Sequence, residues 1–121
     1  MSRLVLTVDD SRTIREMVSF TIKSIGFNMI DAEDGVAALE LLKNNKPDLI
    51  ISDVNMPNMD GFTFVKHVRE NPIFKTTPIL MLTTEYSDDK KNTGRSVGAT
   101  GWIIKPFDPE KLIQVVQKIC A

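Results

Sequence analysis

A single cysteine, Cys120, sits one residue from the end of the 121-residue sequence, so no intrachain disulfide can form and no thiolate cage for a metal can be built. Charge of one sign is also lacking. Fifteen Lys plus Arg stand against sixteen Asp plus Glu, a net charge of -1. That balance offers no electropositive face to a phosphate backbone, and nucleic acid is not an expected partner. Long apolar runs are missing as well. None approaches the roughly 20 residues needed to cross a bilayer, and the apolar core of MSRLVLTVDD is too short for a secretory leader, so no membrane partner and a cytoplasmic location are expected. Internal repeats, low-complexity segments and linkers are absent too. What is there is 42% hydrophobic and 26% charged, the composition of an ordinary globular domain long enough to bury its own core.

The pattern along the chain is an alternation. Short apolar runs, RLVLTV (residues 3–8), FNMID, LIIS, PILMLT (78–83) and GWII, read as strands, and apolar residues recur at helical spacing between them. Ile14, Met17, Val18, Ile22 and Ile25 mark the first helix. Ala38, Leu41 and Leu42 mark the second, which Asn44-Asn45-Lys46-Pro47 ends. Gly61, Phe64, Val65 and Val68 mark the third, and Leu112, Val115, Val116 and Ile119 the last, with Asp108-Pro109-Glu110 as its cap and first turn. The segment EYSDDKKNTGRSVGAT has the thinnest apolar stripe, essentially Val97 and Ala99, with Gly94 inside. It is expected to be the least stable helix, and so the element that moves.

Strict alternation of strands and helices predicts a doubly wound α/β fold, because parallel neighbours need right-handed crossovers. Strands one, three and four are continuous apolar runs, as expected of strands covered on both faces. Strands two and five, short or interrupted, belong at the edges. The predicted order is 2-1-3-4-5, with a ligand crevice outside the carboxyl ends of strands one and three.

The polar residues that end these strands are Asp9-Asp10, Asp53, Thr83 and Lys105-Pro106, all along one rim. Carboxylates brought within about 4 Å repel by up to ~4 kcal/mol per pair at an effective dielectric near 20. A divalent cation would relieve them. Oxygen donors without His or Cys suit Mg²⁺, which takes one or two carboxylates, waters and a phosphate. A Lys and a Thr hydroxyl are groups that phosphoryl oxygens would meet. A carboxylate can itself accept a phosphoryl group. Asp9 and Asp10, adjacent, suit metal holding, and Asp53, alone at the central strand's tip, is the candidate nucleophile.

Asp9-Asp10, SDVNMPNMDG around Asp53, MLTTE with Thr83, and KPF from Lys105, in that order, resemble the receiver domain of two-component response regulators. The resemblance covers essentially the whole chain. It implies the flavodoxin-like (βα)5 receiver fold over residues 1–121, with no output domain. It implies that Asp53 accepts a phosphoryl group from a histidine kinase of the chemotaxis type, with Mg²⁺ held by Asp10 and Asp53 directly, by Asp9 through water, and by the Asn55 carbonyl. Lys105, with a cis bond to Pro106, would contact the phosphoryl group, and Thr83 would move inward to it. Trp102 falls at the switch aromatic. The pair Asn55 and Glu85 would tune dephosphorylation, as in the single-domain chemotaxis regulators of the family.

Such a protein is a switch that assists its own phosphorylation and dephosphorylation, not an enzyme acting on other substrates. Its expected form is a monomer, its expected target a flagellar motor switch protein, and a phosphatase is a further candidate partner. A stand-alone phosphorelay intermediate is the alternative. An aspartyl-phosphate phosphatase would need a second acid two residues beyond the nucleophile, where Asn55 stands, and a cap domain for which there is no room. Two positions depart from the family pattern: Trp102 replaces the usual Tyr or Phe, and Thr84 a small residue. Plainer readings attach to other residues. Asp10 or Ser11 can cap the first helix, Asp60-Gly61 is a turn, His67 is a solvated surface residue, and Lys90, Lys91 and Arg95 form a solvated face.

Overall fold

Each apolar run becomes a strand because its neighbours in the sheet cover it, and each periodic segment becomes a helix that returns the chain to the strands' starting edge. The computed structural model describes residues 3–120. In chain order the elements are β1 (Leu4–Val8), α1 (Arg12–Lys23), β2 (Asn28–Ala32), α2 (Gly35–Leu41), β3 (Leu49–Ser52), α3 (Gly61–Glu70), β4 (Ile79–Thr83), α4 (Asp88–Val97), β5 (Gly101–Ile104) and α5 (Pro109–Ile119). The sheet runs β2-β1-β3-β4-β5 with every neighbouring pair parallel, the order predicted from the sequence.

The two-residue period of the strands divides the core between the faces. Leu6, Val8, Ile50, Ile79 and Met81 point to one side, where they join Ala38 of α2 and Phe64, Val65 and Val68 of α3. Val5, Leu49, Ile51, Leu80 and Leu82 point to the other, where they join Val18 and Ile22 of α1 and Leu112 and Val116 of α5. All of β3 and β4 is buried, as continuous apolar strands require. Cys120 is buried as a free thiol in the second cluster, and burial pushes its pKa up. No helix among the described residues is long and apolar enough to cross a membrane.

Caps set the helix starts. Ser11 accepts from the Ile14 N–H at 3.3 Å, so the cap of α1 belongs to Ser11 and not to Asp10. Asp34, Asp60 and Asp108 cap α2, α3 and α5; Asp60, read from the sequence as part of a turn, is the cap of the helix that Gly61 opens. The α1 stripe is narrower than expected. Val18 and Ile22 are buried, but Met17 at the stripe's margin is 46% exposed and Phe20 is 80% exposed, and Ile25 lies past the helix end. In α4 only Gly94 is buried, and Gly98, at φ 110°, closes the helix before Ala99. A 3₁₀ turn at Pro72–Phe74, not anticipated, drives Phe74 into the core.

Candidate functional site

The carboxyl rim is built by the backbone. In the β1–β3 register Val8 lies opposite Ser52, so the next residues, Asp9 and Asp53, emerge side by side. The ladder continues one step past the strand ends: the Asp53 N–H donates to the Val8 carbonyl at 2.9 Å, the Asp9 N–H to Ala32 at 3.1 Å and the Lys105 N–H to Thr83 at 2.8 Å. Three functional residues from three strands are thereby held by sheet bonds and not by loop. The β3–α3 connection passes so close that a Cβ on Gly61 would overlap the Asp53 carbonyl, which is why glycine opens α3.

The side chains converge accordingly. Carboxylate oxygens of Asp9, Asp10 and Asp53 lie within 4.8 Å of one another. Lys105 Nζ donates to Asp9 Oδ2 at 2.6 Å and to Asp53 Oδ2 at 2.9 Å. Asp9 Oδ1 accepts from the Ser11 N–H at 2.9 Å and Asp53 Oδ1 from the Val54 N–H at 2.7 Å. Asp9 and Asp53 are 2% and 7% exposed, whereas Asp10 faces solvent. Three acids against one ammonium leave the rim in net negative charge.

Burial raises the pKa of the Asp9 carboxyl, and the hydrogen bond from Lys105 only partly offsets that. For Lys105, burial alone would disfavour the ammonium, but its hydrogen bonds to Asp9 and Asp53 and their negative charges outweigh burial and hold it above the usual value. The two partners of this ion pair thus pull oppositely on charge. A single ammonium serves two carboxylates while Asp9 also faces the charge of Asp53, so the cluster holds Lys105 charged. The donor set is hard oxygen throughout, with no His or Cys, and it fits a divalent cation of the Mg²⁺ and Ca²⁺ class.

The remaining predicted residues form a second layer. Thr83 is fully buried, and its hydroxyl accepts from the Glu85 N–H at 3.2 Å; among the described residues no hydrogen bond joins it to Asp53. Asn55 Nδ2 donates to Glu85 Oε1 at 2.9 Å, so the two loops after β3 and β4 meet through this pair. Trp102 Nε1 donates to the Glu85 carbonyl at 2.8 Å and the indole stacks on Phe62, centroids 6.2 Å apart. The Lys105–Pro106 peptide is cis. His67 is far from this cluster in role: its Nδ1 meets Glu70 at 3.2 Å on the surface.

Sequence reasoning missed three supports. Arg15 donates from Nη1 to the Asp9 carbonyl at 2.7 Å and from Nε to Asp31 at 2.9 Å. Arg69 ties the Phe74, Thr77 and Gly98 carbonyls together. Asn58 donates to Asp34. The only prior signal was a basic residue one turn after the acid pair.

A doubly wound sheet with three acids and one lysine at its carboxyl rim defines a phosphoacceptor-type signalling domain. The chain belongs to the family described as the response regulator receiver domain, which it matches over residues 5–117, and it is CheY-like. The Vibrio cholerae chemotaxis protein CheY4 is 52% identical, with a TM-score of 0.95 and coverage of 98% of this chain and 99% of that one. Protein PilG of Pseudomonas aeruginosa is 34% identical, covering 93% of this chain and 84% of PilG. The phosphate regulon transcriptional regulatory protein PhoB of Escherichia coli is 34% identical over 98% of this chain, which spans about half of PhoB, 52% of its length. Receiver domains of this family take phosphoryl groups from histidine kinases and are signalling domains rather than enzymes of the usual kind.

Proposed function

We propose that this chain is a chemotaxis switch in which Asp53 accepts a phosphoryl group from a CheA-type histidine kinase, with Mg²⁺ to be held by Asp10, Asp53 and the Asn55 carbonyl directly and by Asp9 through water. The observation that carries the reading is the gathering of three carboxylates within 4.8 Å around the doubly hydrogen-bonded Lys105 Nζ. A carboxylate oxygen of Asp53 attacks phosphorus in line. The P–N bond to the donor imidazole breaks, and the imidazole nitrogen leaves with that electron pair and takes up a proton. Mg²⁺, when bound, supplies positive charge to the phosphoryl oxygens. Lys105, already aimed at Asp53, moves its ammonium onto a phosphoryl oxygen, exchanging one charge-assisted bond for another that follows the new negative charge.

Thr83 is placed to follow. Its hydroxyl leaves the Glu85 N–H for a phosphoryl oxygen, which loosens the β4–α4 loop that Trp102 holds through the Glu85 carbonyl. The added charge on Asp53 thereby biases a surface two layers away. Asn55 and Glu85, paired through Asn55 Nδ2 and Glu85 Oε1, flank the path of the water that hydrolyses the acyl phosphate and resemble the pair of fast self-dephosphorylating members of the family.

The match over nearly the whole of CheY4 favours a chemotaxis role with a flagellar motor switch protein as target, and an associated phosphatase as a further partner. A phosphorelay intermediate is the second reading; the Asn55–Glu85 pair favours the first, because a relay must preserve its phosphoryl group. Labelling with radioactive acetyl phosphate tests the core of the proposal. Wild type should incorporate label only with Mg²⁺, and Asp53→Asn should incorporate none at unchanged far-UV circular dichroism. Label retained in Asp53→Asn would place the acceptor elsewhere. Binding of the beryllofluoride-treated protein to a motor switch fragment, set beside phosphoryl transfer to a histidine phosphotransfer domain, separates the two roles.

A further inference from the structure

We propose that Asp34 and Asn58 act as a positioning pair that docks the tip of the β3–α3 loop on the start of α2 and so sets the Asn55 carbonyl for divalent-cation binding. The inference rests on the metal-assisted reading above. The loop leaves Asp53 and ends at Asp60, the cap of α3. Its base is closed by the Gly61 N–H donating to the Val54 carbonyl at 2.7 Å. Asn55 lies between that base and the tip.

The tip is held by two independent contacts. Asn58 is the one non-glycine residue among those described with a positive φ, 67°. A side-chain-bearing residue stays in that region only when its surroundings hold it there, and Asn is among the residues that tolerate it. Here the holder is visible: Asn58 Nδ2 donates to Asp34 Oδ2 at 2.8 Å, across 24 positions of sequence. The other Asp34 oxygen accepts from the Ala37 N–H at 2.8 Å, and Asp34 is 6% exposed. Capping α2 needs only one of these oxygens; the second is committed to the loop. Met59, next along, rests on Gly35, where an added Cβ would come within 2.9 Å of the Met59 sulfur.

A backbone carbonyl is a useful ligand only if it does not have to be ordered when the ion arrives. A loop pinned at base and tip leaves Asn55 little room to drift, and outer partners of this kind commonly change metal affinity by about tenfold or more. Asp34 and Asn58 touch neither ion nor phosphoryl group; they act through Asn55.

Calorimetric titration with MgCl2, together with melting in EDTA, tests the pair. Asn58→Gly keeps the positive φ without strain but removes the tether, so its melting point in EDTA should fall modestly, by the one hydrogen bond lost to Asp34, while its Mg²⁺ Kd should rise about tenfold. Asn58→Asp sets two carboxylates face to face and should weaken Mg²⁺ similarly. The exchange Asp34→Asn with Asn58→Asp reverses donor and acceptor at constant net charge, and should bring Kd back to within about twofold of wild type, as coupled neighbours do. An unchanged Kd in Asn58→Gly, or an exchange that recovers nothing, would overturn the pair. If that happens while Asp10→Asn loses Mg²⁺, the metal site stands and only the tether falls. A wild-type protein with no saturable Mg²⁺ binding would remove the metal reading and the tether with it.

Discussion

Asp10 is the residue whose cost and use are easiest to separate. It faces solvent, no hydrogen bond from another side chain reaches it among the described residues, and its carboxylate lies within 4.8 Å of two others. Without a cation it contributes only repulsion, which solvent screening limits to about 0.5–1 kcal/mol. Asp10→Asn should therefore unfold at higher urea than wild type in EDTA, and gain less from MgCl2. A variant less stable in EDTA would mean that Asp10 makes a contact the charge argument lacks. Residues such as Asp9, Asp53 and Lys105 were legible because each is the first polar residue after an apolar strand. Asp34, Asn58, Arg15 and Arg69 were not. Their partners lie far along the chain or are backbone carbonyls, which no spacing announces.

At the scale of elements, α4 and β5 meet through Gly94 and Trp102. A Cβ at Gly94 would lie 2.7 Å from Trp102 Cζ3. Alanine favours a helix over glycine by about 1 kcal/mol, but overpacking costs about 1–3 kcal/mol, so the clash wins. Gly94→Ala should lose about 1 kcal/mol in urea unfolding and shift Trp102 emission to the red as the ring turns outward. In a Trp102→Phe background the same change should become neutral or stabilising, and a loss that persists there would locate the strain elsewhere. The thin α4 stripe was legible from composition. The Phe62–Trp102 stack was not, because Phe62 stands off the α3 stripe and is recruited by a residue of β5 forty positions later.

The start of α2 carries a pH signature at the same scale. The hydrogen bond from the Ala37 N–H, with a second from Asn58, lowers the Asp34 pKa from 3.8. A lowered folded value means that the stabilisation is complete above 3.8 and fades as pH falls toward the folded value. Melting points of wild type and Asp34→Asn should therefore converge as pH is lowered through the region below 3.8, having been further apart at pH 7. Parallel curves would mean that the carboxylate's charge is immaterial to the cap.

For the whole molecule, the order β2-β1-β3-β4-β5 was legible because apolar continuity ranks strands by burial, and burial ranks them by position in the sheet. That same topology concentrates like charge at one rim of a rigid sheet that cannot relax by spreading, since Asp9, Asp53 and Lys105 are each held by ladder bonds. A cation that binds only the assembled rim must then stabilise the entire fold. At a hundredfold excess over Kd the gain is about 2.7 kcal/mol, and at roughly 3–4 °C per kcal/mol for a domain of this size the melting point should rise by about 10 °C. Calorimetry in MgCl2 against NaCl of equal ionic strength distinguishes coordination from screening, because screening acts on all exposed charges alike and lacks saturation. Mg²⁺ should give a saturable rise that EDTA reverses and that Asp10→Asn largely removes. An equal rise in NaCl would mean that the rim is merely shielded, and that the three acids share no ion.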